Sequence, residues 1–202
     1  MSTFHNLSKR LQRSWRRAKQ FRAGQCGVAS IEFAMIVPLM VMMFVGTVEL
    51  SQAITVDRRV NQVASSVADL VARTKSTTST DLDDTMNVID ELFKPYDHTP
   101  VRLTLTNVIA STSDETNTVV CWSHNYTLGG VGSYAQGSAY TLPTGIVEKG
   151  ESVIVAEIKY TYTPLIFSYF ITGAVDFTDT FYLKPRLSSS IEMDGNKCTA
   201  PA

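Results

Sequence analysis

Few residues in this sequence could do chemistry, and those few are scattered. Catalysis needs a convergent set of groups. Beyond residue 50 the chain has two histidines, His98 and His124, with no spacing to carboxylates or cysteines that would build one. Ser123 directly precedes His124, and on a strand such neighbours face opposite sides. Asp81, Asp83 and Asp84 lack the glycine and the distal glutamate of a calcium loop. They suit a helix N-terminus, where negative charge is favourable. Cys121 and Cys198 are not in zinc spacing, and there is no phosphate loop or dinucleotide fingerprint. Asn125-Tyr126-Thr127 matches a glycosylation sequon, a pattern short enough to arise by chance. The sequence therefore predicts no enzyme, no catalytic residue, no metal site and no cofactor.

One ionisable group stands in a setting that demands a cause. Glu32 is the only charge in VASIEFAMIVPLMVMMFVGTV, which runs from Val28 to Val48. Twenty-one residues make a helix of roughly 31 Å, enough to cross a hydrocarbon core about 30 Å thick. A carboxylate in such a span costs about 2.5–3.5 kcal/mol at its centre and marks function by default. Glu32 lies near one edge, so snorkelling relieves part of that cost.

Charge sets the orientation. Seven of the 18 Lys and Arg stand before Gly27 and no acid does, so residues 28–202 carry 11 basic against 19 acidic side chains. Lys and Arg mark the cytoplasmic flank, which keeps the leader inside and exports the remainder. A basic arm can also bind nucleic acid, but attraction to anionic cytoplasmic lipid already accounts for it, and no nucleic-acid partner is expected. A removable secretory signal has a shorter apolar region and an A-x-A-like site, whereas here Glu49-Leu50-Ser51-Gln52-Ala53 follows the span. The Arg16-Arg17 pair lies too far upstream for a twin-arginine signal.

Gly27 sits five residues before Glu32. Cleavage after Gly27 would leave a chain beginning at Val28, its α-amino group at a helix N-terminus where positive charge opposes the macrodipole. Glu32, one turn along, offsets that charge within its own chain or across to a neighbour. In a low dielectric such pairing favours side-by-side assembly, because a lone charge has no other partner there. This arrangement resembles the type IV prepilin processing site: a short basic leader, Gly at the cut, Glu at the fifth mature position, then an apolar helix. The stretch from Gly27 to Leu39, GVASIEFAMIVPL, with Glu49-Leu50 after the span, further resembles the N-terminal signature of the TadE family. Phe181-Tyr182-Leu183-Lys184-Pro185-Arg186 is similar to that family's aromatic-then-Pro-Arg ending. These are pilin-like (pseudopilin) proteins of the Tad/Flp tight-adherence pilus. The resemblance implies cleavage between Gly27 and Val28 by a prepilin peptidase and a role in assembling or priming the pilus. It implies other pilins and the pilus assembly machinery as partners. The location implied is the bacterial inner membrane, with a cytoplasmic N-terminus, a periplasmic head and possible presence in the pilus.

Cys121 and Cys198 are the only cysteines on the exported side, Cys26 being on the other. An oxidising compartment favours a disulfide between them, with two buried thiols as the alternative.

The elements that must carry these residues divide the chain into a basic cleavable leader (1–27), a transmembrane helix (28–48), an amphipathic helical extension (49–73) and an exported head (74–202). In the extension Ala53, Val56, Val60, Val63, Val67 and Leu70 recur at three- and four-residue steps, widened by Ile54, Ala64 and Val71. Val28 to Arg73 then reads as one helix of about 69 Å kinked at Pro38, its seam packed on a head or, alternatively, in a coiled-coil dimer. A polar run, Arg73–Thr80, stops it. A short helix capped near Thr80 or Asp81 carries Leu82, Met86, Ile89, Leu92 and Phe93 and ends at Pro95. Strands are predicted at Val101–Leu105, Asn117–Leu128, Ser152–Thr163, Asp176–Leu183 and Leu187–Met193. Residues 129–145 read as a long exposed loop, and Leu165–Ile171 as a helical turn or crossover. The fold class is α+β: a long N-terminal helix packed on an antiparallel sheet, pilin-like. Besides an assembly protein, this plan would serve an uncleaved, single-span adhesin or binding module.

Overall fold

The computed structural model describes residues 26–164 and 173–201. The expected turn at Leu165–Ile171 and nearly all of the leader lie outside them. The chain divides into two compact units, Met1–Val48 and Glu49–Ala202. One helix, α1 (Cys26–Ala72), contributes to both and runs through Pro38 without ending.

In the first unit α1 is apolar on every side, and its large side chains are uncovered, Phe33 by 67% and Phe44 by 71%. A helix hydrophobic all round, its large side chains left exposed, has the character of a membrane span.

In the second unit the same helix becomes one-sided. Val56, Val60, Val63, Ala64, Val67, Ala68, Val71 and Ala72 are buried in a single core cluster or beside it. Two expected seam positions face outward instead: Ile54 and Leu70 are 46% and 45% exposed. A strict seven-residue repeat drifts about 20° per heptad on a straight helix, so by the last turn Val71, with Ala68 and Ala72, has replaced Leu70. The helix stops where Thr74 returns its N–H and hydroxyl to the Val71 carbonyl, at 3.0 and 2.8 Å, closing the last turn.

A short strand, β1 (Ser76–Thr77), leads into α2 (Ser79–Phe93). The cap of α2 is Thr78, not Thr80 or Asp81. Its hydroxyl accepts from the Asp81 N–H (3.1 Å) and the Asp81 carboxylate accepts from the Thr78 N–H (3.0 Å), a reciprocal capping box. The Ser79 N–H is taken by Asp194, 115 residues on, which no local pattern could anticipate. Leu82, Met86, Ile89 and Phe93 are fully buried, whereas Leu92 is partly covered.

The sheet contains β2 (Val101–Ala110), β3 (Thr118–Asn125), β4 (Ser152–Tyr162) and β5 (Val175–Leu183), all antiparallel in the order β3-β2-β4-β5. Ile154, Ala156, Ile158, Tyr160 and Tyr162 of β4 face the core with Val101, Leu103 and Leu105 of β2, and α1 and α2 cover them. Part of the other face is buried too. Residues 129–145 are not a free loop: Tyr140 and Leu142, with Ile146 and Tyr182, pack on Val108, Val153 and Val155. Along the β3 edge Val120 donates to the Ser138 carbonyl and receives the Gly137 N–H, at 2.9 and 2.8 Å. An edge that would template pairing with another chain is thereby covered.

The expected strand Leu187–Met193 shrinks to β6 (Glu192–Met193), which pairs in parallel with β1 and not with the main sheet. The rest of that segment spends its polar backbone on the core's rim. The Ser189 carbonyl accepts the Ser152 N–H (3.1 Å) and that of Ile191 accepts Asn107 Nδ2 (3.0 Å) and Trp122 Nε1 (2.8 Å).

Thr78→Ala should lower the unfolding free energy of the head by about 1 kcal/mol through loss of the cap. Thr80→Ala should stay within about 0.5 kcal/mol. Urea denaturation of the two variants distinguishes them.

Candidate functional site: the processed end and the ties that hold the head

Gly27, Val28 and Glu32 occupy the first turns of α1 and all three are exposed. A Cβ at Gly27 would meet nothing within 4 Å, and its φ lies outside the left-handed region. Packing and backbone geometry therefore leave Gly27 unexplained, although glycine is the poorest helix former after proline. Among the described residues, Gly27, Val28 and Glu32 share only one another's helix.

Where the span ends the environment changes abruptly. Glu49 is 7% exposed, next to Leu50 at 62%. Burial pushes the Tyr162 hydroxyl above its ordinary range, and the Glu49 carboxylate nearby adds to the shift.

The second sequence-predicted feature is the cysteine pair. In β2–β3 the register slips between Asn107 and Val108, which face Trp122 and Val120, so Cys121 is an extra residue in β3. A bulge re-aims side chains that strict alternation would send to opposite faces. Cys121 and Trp122 are consecutive, yet each is 7% exposed and part of the same core. Cys121 is bonded to Cys198, with Cα atoms 5.1 Å apart and a sequence separation of 77.

A third tie uses the aromatic-then-Pro-Arg segment. Phe181 and Leu183 pack against the core, Lys184 pairs with Glu151 (2.9 Å) and Glu148 (3.4 Å), and the Arg186 N–H donates to the Ala72 carbonyl (2.8 Å). The Glu151 bond, assisted by Glu148, raises Lys184 above its usual value. The Arg186 guanidinium binds Asp69, which Arg73 also contacts. The C-terminal segment thus supplies a donor and a positive charge to the end of α1, where both are favourable. The sequence carried the signal in Pro185-Arg186 but not its destination.

The histidines serve the packing of α2. His124 Nε2 lies 2.8 Å from Asp83 and His98 Nε2 3.5 Å from Asp90, while Tyr126 donates to Asp90. Ser123 faces the other way, its hydroxyl 3.1 Å from that of Thr106. Burial, then the Asp90 bond, pushes Tyr126 well above the ordinary phenol range. Among the described residues no group of three His, Cys, Asp or Glu could hold a metal ion.

Helix, span and head together define a class: a protein with one apolar helix fit for single-pass membrane anchoring, carrying an α+β head. Residues 27–69 match the TadE-like protein family, in agreement with the resemblance read from Gly27 to Leu39. The match associates the chain with the Tad pilus system and its components, and it ends at the aspartate that holds Arg186. No curated protein and no solved structure matches the chain.

Replacing Cys121 and Cys198 together by serine should cost about 2–5 kcal/mol of head stability. Thermal unfolding measures the loss. Alkylation of the unreduced protein should label neither Cys121 nor Cys198, and labelling of both would refute the pairing.

Proposed function

We propose that this chain is a minor pilin or pseudopilin that helps assemble or prime a Tad-type pilus for surface adherence, after its leader is cleaved following Gly27. The observation that carries the reading is a glycine without a packing or backbone role, five residues before a lone glutamate at the head of an uncovered apolar helix. A protease that needs a small residue at the cut gives Gly27 the role that the fold does not. A prepilin peptidase is the partner this implies.

Removal of residues 1–27 leaves a Val28 ammonium beside Glu32. In lipid both charges are costly, and pairing between adjacent helices relieves both. The exposed apolar surface of α1 between Val28 and Val48 would then pass from lipid to contact with other pilin helices. The protein starts in the inner membrane, leader in the cytoplasm and head in the periplasm, and performs no reaction itself.

The alternative of an uncleaved adhesin presenting residues 129–145 is less well supported, since that segment is pinned to the sheet by Tyr134 and Tyr140, whose hydroxyls reach Glu157 at 2.9 and 3.1 Å.

N-terminal sequencing of membrane-derived protein should find Val28 first. An intact Met1 or Ser2 in cells with an active prepilin peptidase would sink the proposal. Glu32→Ala should still be cleaved but fail in assembly, read as loss of surface pili by electron microscopy. Normal piliation in that variant would remove the charge-pairing role.

A further inference from the structure

We propose that a cavity between α1 and the end of β4 binds a primary alkylammonium group, the chemistry of a lysine side chain's head. Tyr96, Tyr160 and Tyr162 supply its aromatic walls, and Glu49 and Asp97 supply the counter-charge.

The cavity, of about 300 Å³, is lined by Gln52 and Val56 of α1, by Tyr96 and Asp97 after α2, and by Tyr160 and Tyr162 of β4. That volume suits a small ligand. All of these residues, and Glu49, belong to the compact unit Glu49–Ala202. No Lys or Arg is among the lining residues.

The rings are set in place before any ligand arrives. Phe93 lies beside Tyr160 with ring centroids 5.1 Å apart, and Phe177 beside Tyr162 at 5.9 Å. The Tyr160 hydroxyl donates to the Asp97 carbonyl (3.1 Å), which ties the segment at Tyr96 and Asp97 to the sheet. Tyr162 is 8% exposed, and its hydroxyl oxygen is buried without a hydrogen-bond partner among the described residues. A buried hydroxyl left unpaired is costly, and such groups are few in folded proteins. A ligand that carries an N–H donor satisfies it.

Charge selects the kind of donor. Glu49 stands three residues before Gln52 on the same side of α1, is buried, and acts on the Tyr162 hydroxyl. The Thr99 N–H (3.0 Å) and hydroxyl (2.8 Å) hold the Asp97 carboxyl below its usual range, so it stays ionised at neutral pH. His98, the basic residue nearest in sequence, has its ring 3.5 Å from Asp90. Carboxylates combined with tyrosine rings attract a cation and repel an anion. A quaternary ammonium has no N–H and leaves the Tyr162 oxygen unpaired, whereas a primary ammonium has three donors. The alkyl stem behind it finds Val56 and the rings.

The test uses the full chain in a maltoside detergent, titrated with n-butylammonium and followed by NMR at the Gln52 side-chain amide. That signal should shift saturably. n-Butanol, similar in shape but uncharged, should bind at least tenfold more weakly, and tetramethylammonium should also bind more weakly. Tyr162→Phe removes one oxygen and should weaken n-butylammonium binding roughly tenfold, as expected for losing a bond to a charged group. Asp97→Asn should weaken it severalfold, whereas Tyr182→Phe, the same change on the other face of the sheet, should not. Because the Tyr162 oxygen is unpaired in the free protein, Tyr162→Phe should leave thermal stability undiminished. Unaltered affinity in Tyr162→Phe, or n-butanol binding as tightly as the amine, would overturn the site. Tighter binding of tetramethylammonium would overturn the choice of a primary ammonium. Nα-acetyl-lysine methylamide distinguishes the sources. Binding equal to that of n-butylammonium supports a lysine side chain of a partner chain, and its exclusion while n-butylammonium binds supports a free amine.

Discussion

A single helix here has to satisfy two surroundings, and the rest of the chain follows from how it does so. From Val28 to Val48 α1 is apolar on every side and uncovered, whereas from Val56 to Ala72 it buries one face completely. Burial of a valine side chain stabilises by about 1.5–3 kcal/mol, and the head half of α1 buries five of them. Nothing on that half could stay helical and one-sided without a surface to receive it. The inner face of β2 and β4 is that surface, with α2 beside it. The head is thus arranged around a helix whose other half is committed elsewhere.

Receiving the helix leaves its C-terminal end to be closed, and the chain does this with its own last residues. The segment after β5 brings Arg186 to Ala72 and Asp69, Ser189 to Ser152, Ile191 to Asn107 and Trp122, and Cys198 to Cys121. The ties to Ala72, Ser152, Asn107 and Trp122 satisfy polar groups that would otherwise face a dry interior, where an unpaired donor or acceptor costs about 1–3 kcal/mol. A small domain with one helix partly outside its core gains much from such closure. The disulfide adds to it by restricting the unfolded chain across 77 residues.

The processing segment and the head place opposite demands on sequence. Gly27 and Glu32 run against local preference, a poor helix former and a charge in an apolar run, and among the described residues nothing compensates them. In the head the local exceptions have visible causes. Gly129 makes room for the Arg102 stem, and the extra residue at Cys121 turns two consecutive side chains into one core. Local rules broken without structural return point to partners outside the chain, and those broken with it point inward.

By itself the sequence determined the span, the buried face of β4, the helix–sheet class and the prominence of Gly27 and Glu32. Those features are periodic or compositional and depend on neighbours a few residues away. Only the tertiary structure decided that residues 129–145 cover the sheet, that Leu70 yields to Val71, and that Thr78 caps α2 with help from Asp194. It also decided that the Pro-Arg segment ends on Asp69 and that Leu187–Met193 serves as a strap instead of a strand. Each of these joins residues tens of positions apart, or turns on a one-residue slip in register. Periodicity carries no record of such a slip, because the sheet's bulge and the chain's return path are set by what the core has left to satisfy.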